Sequence, residues 1–206
     1  MIRPEPMDER ETVDGLTALV PAAVAGDRAA MRALLRGVAP IVARACRRVI
    51  GRGEAEAEDV AQQALAGFVD RLPAFRGEST VAHFAERIAV YRALSARRDT
   101  GVRRRHVDLA DGSLVEDACD TATATDARLD ERRRRSLLVR ALEALPDAQA
   151  EALALHFLFD RTVAEIAGMA GVPPETVRSR LRLGKQALRT LIANDEALAA
   201  LREGTS

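Results

Sequence analysis

Apolar side chains recur at helical spacing along most of the chain. Met31, Leu34, Leu35 and Val38 fall at i, i+3, i+4 and i+7, and Val42, Ala45, Cys46 and Val49 repeat the spacing beyond Pro40. The pattern predicts a helix that Pro40 bends or restarts, because proline lacks the N–H and its ring crowds the preceding turn. Gly51 and Gly53 end it. A second helix is predicted from near Glu56, with Ala61, Leu65, Phe68, Val69 and Leu72 on its apolar face and a stop before Pro73. Ser79 or Thr80 is a candidate N-cap for a third, striped by Phe84, Ile88, Tyr91 and Leu94. Three such stripes can be buried only against one another, which predicts a helical domain over residues 16–106.

The C-terminal half repeats the pattern with shorter elements. Leu137, Leu138, Ala141, Leu142 and Leu145 precede Pro146, and a helix over 145–157 is expected to turn Ala150, Leu153, Ala154 and Phe157 inward. A short helix from about Thr162 to Ala170 meets the break Gly171-Val172-Pro173. The last helix starts at Pro174, where a missing N–H costs nothing, and runs to about Ile192. No strand-like alternation and no internal repeat is present. The predicted fold class is all-α, with a second helical domain over 131–193.

Composition supports helix: Ala, Leu and Arg dominate, and aromatics are 3% of 206 residues. Lys185 is the sole lysine among 31 basic residues, matched by 31 acidic ones, so net charge is zero. The layout is uneven. Residues 1–15 carry five acids and two arginines, forming an acidic tail. Residues 92–106 carry six arginines and one acid, 107–130 seven acids and one arginine, and 173–189 five bases and one acid. Two basic segments around an acidic, Thr/Asp-rich stretch predict two domains joined by a flexible linker over 107–130, with a C-terminal tail over 194–206. Taken singly, each basic run also fits an ordinary solvated helix face.

Residues 164–188 have the layout of a helix-turn-helix: a short apolar helix, a turn containing Gly171, and a longer two-faced helix. Val177, Leu181, Gly184, Leu188 and Leu191 form its buried side, and Glu175, Arg178, Ser179, Arg182, Gln186 and Arg189 its opposite side. Such a helix suits the DNA major groove, where arginine binds guanine O6 and N7 in a bidentate manner. Arg180 and Lys185 lie at its flanks and suit phosphates.

The segments taken in order resemble the sigma-70 family of bacterial RNA polymerase initiation factors, specifically its extracytoplasmic-function (ECF) group. The resemblance spans about Ala22 to Leu191. AGDRAAMRALLRGVAPIV resembles the opening helix of the first family domain, EAEDVAQQAL its core-polymerase-binding helix, and LPAFRGESTVAHFAERIAVYRALSARR its promoter-melting, −10-reading segment. ALPDAQAEALALHFLFDRTVAEIAGMAGVPPETVRSRLRLGKQALRTL resembles the −35-reading domain.

The resemblance implies roles. Asp59, Gln62 and Gln63 would contact core polymerase; Arg76, Ser79, Phe84, Arg87, Tyr91, Arg97 and Arg98 would meet the −10 element. Thr176, Arg178, Ser179, Arg180, Arg182 and Lys185 would meet the −35 element. Stacking aromatics and phosphate-tracking arginines are what unpaired DNA requires. The family usually has Trp at the positions of Phe84 and Val69, and often Asn at that of Tyr91; core packing is the alternative role for Phe84 and Tyr91. The acidic linker would thread a basic polymerase channel, and by offsetting the basic faces would leave the free chain a weak DNA binder. An anti-sigma factor is an implied partner.

No nucleotide-binding loop, nucleophile elbow or zinc-binding His-Glu-x-x-His is present, and His83, His106 and His156 are scattered. Cys46 and Cys119 have no Cys or His at ligand spacing. A non-enzymatic protein without cofactor or metal is expected. No apolar run reaches the ~18 residues of a membrane span, and the acidic start is unlike a secretory signal, so a cytoplasmic protein without membrane insertion is expected. The rival readings are a helix-turn-helix regulator that does not load onto core polymerase, and a degenerate sigma-like protein that only binds an anti-sigma factor.

Overall fold

The computed structural model describes residues 15–51, 54–111 and 126–194. The acidic N-terminal tail up to residue 14, residues 112–125 of the expected 107–130 linker with Cys119 among them, the tail after Asn194, and the side chains of Arg103, Arg104, Arg105 and His106 lie outside the described residues. Among the described residues every regular element is helical.

A short α1 (Val20–Val24) leads to α2 (Arg28–Ile50), whose N-cap Asp27 accepts hydrogen bonds from the backbone of Ala29 at 2.7 Å and Ala30 at 3.2 Å. The predicted restart at Pro40 does not occur: α2 is one helix of 23 residues. Pro40 lies on the exposed side, where the carbonyl it leaves without a donor is open to water. α3 (Glu54–Arg71) passes into a 3-10 turn (Leu72–Ala74). α4 (Val81–Asp111) begins after Thr80, whose hydroxyl accepts from the backbone of His83 at 3.2 Å. It runs through the arginine cluster into the start of the acidic stretch.

α2, α3 and α4 pack pairwise, burying Leu34, Val38, Val42, Phe68, Ala85, Ala89 and Leu94. The expected stripe on α4 is wider than read: Val81, Val90 and Ala93 are also buried, and Phe84 and Tyr91 only half so. Helices from both halves of the chain pack on α4, so more than one of its faces is covered.

The second half comprises α5 (Asp126–Glu143), α6 (Asp147–Phe157), α7 (Val163–Ala170) and α8 (Pro174–Asn194). Ala150 to Leu155 are buried without a break, the mark of a helix enclosed on all sides. Phe157, read as inward-facing, is instead 46% exposed at the last residue of α6, with the Lys185 ammonium 5.1 Å from its ring centroid. α7 starts with a reciprocal capping box between Thr162 and Glu165. It ends at Gly171, whose left-handed backbone (φ 61°) turns the chain toward α8. On α8, Val177, Leu181, Gly184 and Leu188 are buried as expected, and Leu191, expected with them, is half-buried near the helix end.

Candidate polymerase and nucleic-acid interfaces

Asp59, Gln62 and Gln63 occupy one exposed face of α3, while Val60, Ala61, Ala64 and Phe68 face the bundle. The i, i+3, i+4 spacing gathers one carboxylate and two amides within a single turn.

The α7–α8 pair forms the predicted helix-turn-helix. Arg178, Ser179, Arg182, Lys185, Gln186 and Arg189 are exposed along α8, and Thr176 and Arg180 are half-buried at its edges. Arg178 pairs with Glu175 one turn earlier; both are well exposed, so the pair contributes little and yields readily to another anion.

The seven −10 candidates divide into three groups. Arg76 is exposed on the loop before α4, and Ser79 donates its hydroxyl to the carbonyl of Thr80 at 3.4 Å. Phe84 packs in an aromatic cluster, 5.2 Å from Phe75 and 6.2 Å from Phe68 between ring centroids, and Tyr91 is half-buried further along. Arg87, Arg97 and Arg98 reach across to the C-terminal half. The Arg87 Nε donates to Glu151 at 2.6 Å and its Nη1 to the Met169 carbonyl at 3.3 Å. The Arg97 Nε donates to Glu143 at 2.6 Å and its Nη1 to the Ile50 carbonyl at 2.8 Å. Arg98 pairs with Asp147.

A reverse pair lies beside these. Arg161, between α6 and α7, grips Glu86 of α4 with two bonds at 2.7 and 3.0 Å, and this contact raises the arginine's pKa. His83 is held below the ordinary histidine value by burial and then by the Arg161 charge. Glu165 is held below the usual carboxylate range by its hydrogen bonds from Thr162. Burial pushes the Cys46 thiol up to about 12, and Cys46 lies 4.0 Å from the Ala89 carbonyl in the core. A shallow recess of about 340 Å³ is lined by His156, Phe157, Asp160, Arg161 and Thr162. Three of these are engaged already: His156 with the Arg161 carbonyl, Arg161 with Glu86, and Thr162 with Glu165.

Sequence reasoning missed Glu86, Glu143, Asp147, Glu151 and Arg161. The available signal was a carboxylate set in an otherwise apolar helix, Glu151 between Ala150 and Ala152, which at that depth requires a cationic partner.

The chain thus sets a capped helix-turn-helix after a three-helix bundle, with helices of the second half packed on α4. The family profile described as sigma-70 region 2 matches residues 34–104, and that described as sigma-70, region 4 matches residues 127–188. The ECF RNA polymerase sigma factor SigD of Mycobacterium tuberculosis is 33% identical over 191 residues, covering 90% of this chain and 85% of the relative; that of Mycobacterium bovis matches equally. Among solved structures, CnrH in complex with the cytosolic domain of CnrY aligns with a TM-score of 0.49 at 19% identity, covering 87% of this chain and 98% of the other. Sigma factor RpoE in complex with the anti-sigma factor NepR from Bartonella quintana aligns at 0.44 with 22% identity, covering 79% and 96%.

The chain belongs to the sigma-70 family of RNA polymerase sigma factors. Within it, the chain is an ECF-type factor, a transcription initiation factor that binds core RNA polymerase and directs it to promoters. This favours the polymerase-directing reading over a regulator that never loads onto the enzyme. No helix among the described residues is long and apolar enough to cross a membrane.

Proposed function

We propose the following division of labour within this initiation factor. Residues 16–106 form the polymerase- and −10-binding domain, 107–130 the linker through the enzyme, and 131–193 the −35-binding domain. Asp59, Gln62 and Gln63 bear on core polymerase through the exposed face of α3. Arg178, Ser179 and Arg182 reach base edges of the −35 element from α8, while Thr176, Arg180 and Lys185 hold its phosphates. Phe84 and Tyr91 offer ring faces to unpaired −10 bases, Ser79 lies beside them, and Arg76, Arg87, Arg97 and Arg98 follow the backbone. The factor works in the cytoplasm, has no catalytic activity of its own, and is held inactive by an anti-sigma factor that covers its polymerase-binding surfaces.

The observation that carries this reading is α8 itself, buried on one side and lined on the other by four exposed basic residues, Arg178, Arg182, Lys185 and Arg189. Co-purification with core polymerase tests the other end of the molecule. Replacing Asp59, Gln62 and Gln63 together by alanine abolishes co-purification while leaving the helical signal intact; undiminished binding by that variant removes the α3 face from the reading.

A further inference from the structure

We propose that the C-terminal half of the free chain occupies the −10-reading arginines of α4 in place of DNA, so that the two compete for the same guanidinium groups. The inference rests on the assignment of Arg87, Arg97 and Arg98 to the DNA backbone.

The geometry is two-way. α4 extends Arg87, Arg97 and Arg98 to Glu151, Glu143 and Asp147 of the C-terminal half, and that half extends Arg161 back to Glu86 of α4. Glu151 and Glu86 are the buried carboxylates of the described residues, with side chains 9% and 8% exposed. Each is tolerable at that depth because it is paired, and either alone would be a costly buried charge. The contact therefore breaks as a unit, all its charges passing into water together.

Backbone fit marks the same seam. At Gly168 of α7 an added Cβ would stand 2.5 Å from the carbonyl oxygen of Glu78, in the loop carrying Arg76 and Ser79. Only glycine allows α7 this approach. The Arg48 guanidinium also lies 5.2 Å from the Phe159 ring centroid, joining α2 to the segment after α6.

Phosphate and carboxylate offer arginine the same planar, charge-assisted recognition. A DNA strand that takes Arg87, Arg97 and Arg98 must therefore displace the C-terminal half, and its apparent affinity falls by the fraction of chain already open. On α8, Arg178, Arg182, Lys185 and Arg189 stay exposed while the seam is closed. The latch silences the −10 reader and leaves the −35 reader accessible.

Two full-length variants test this by different routes. Glu143→Gln with Glu151→Gln removes two of the three carboxylates that hold these arginines; Gly168→Ala wedges the seam without changing charge. Small-angle scattering reports compactness, and a fluorescent mixed-sequence single-stranded DNA of about 12 nucleotides reports access to α4. Both variants are expected to be more extended than the parent and to bind the oligonucleotide about fivefold tighter or more. Variants that stay compact, or that open without binding more tightly, overturn the proposal. If instead the parent and both variants all fail to direct core polymerase to discrete start sites, the functional assignment fails while the scattering comparison still decides the latch.

Discussion

Cys46 illustrates how burial alone sets chemistry. Fully enclosed between α2 and α4, its thiol keeps its proton until about pH 12, and the thiol form is a poor nucleophile. In native protein near neutral pH, Cys46 should resist alkylation by iodoacetamide and react only on unfolding, as peptide mass mapping would report; rapid native labelling would contradict its placement. His83 is the pH-sensitive counterpart. Its native pKa lies below the unfolded value of about 6.5, chiefly through burial and then through Arg161, with Glu86 and Glu165 pulling the other way. Below about pH 6.5 the unfolded chain takes up the proton more readily, so His83's contribution is fully present above that pH and is lost as pH falls through its native pKa. Glu165, also depressed, adds a second loss further into acid. Urea melts of His83→Gln should show a shallower decline just below about pH 6.5 than the parent; an unchanged slope would remove His83 as the cause.

At the scale of elements, caps and turns set where each helix starts and where each recognition side chain points. Replacing Asp27 by alanine removes two bonds to the first turn of α2 and should cost about 1 kcal/mol in a urea melt. On α8, Arg178→Ala should relax −35 preference by about 1–3 kcal/mol, read as promoter selectivity in run-off transcription, because a bidentate guanine contact is lost. The exposed Glu175 partner offers no competing energy of that size. This level was largely legible in the sequence. The 3.6-residue period located α2, α3, α4, α7 and α8, and the Gly171 turn with the two-faced pattern after it located the recognition helix. What periodicity misjudged was Phe157, at the last residue of its helix and beyond the core it was assigned to; at Pro40, where a bend or a restart was expected, the helix does not restart.

Across the whole molecule, the least legible feature is the seam between the halves. Its ion pairs join residues 46 to 75 positions apart, and no local pattern connects such partners. Arginine runs on α4 read from the sequence as free DNA-facing surface; in the fold three of them are already answered by carboxylates from α5 and α6. Weak DNA binding by the free chain, expected from an acidic linker, would under the proposed latch have a second origin in folded residues. One experiment bears most directly on the central claim that both halves work together on polymerase. Purified core RNA polymerase, with and without this protein, is given genomic DNA fragments and the transcript 5′ ends are mapped. Discrete new starts are expected, preceded by a shared pair of elements near −10 and −35, with the upstream element losing definition in Arg178→Ala. Starts no different from those of core enzyme alone would contradict it.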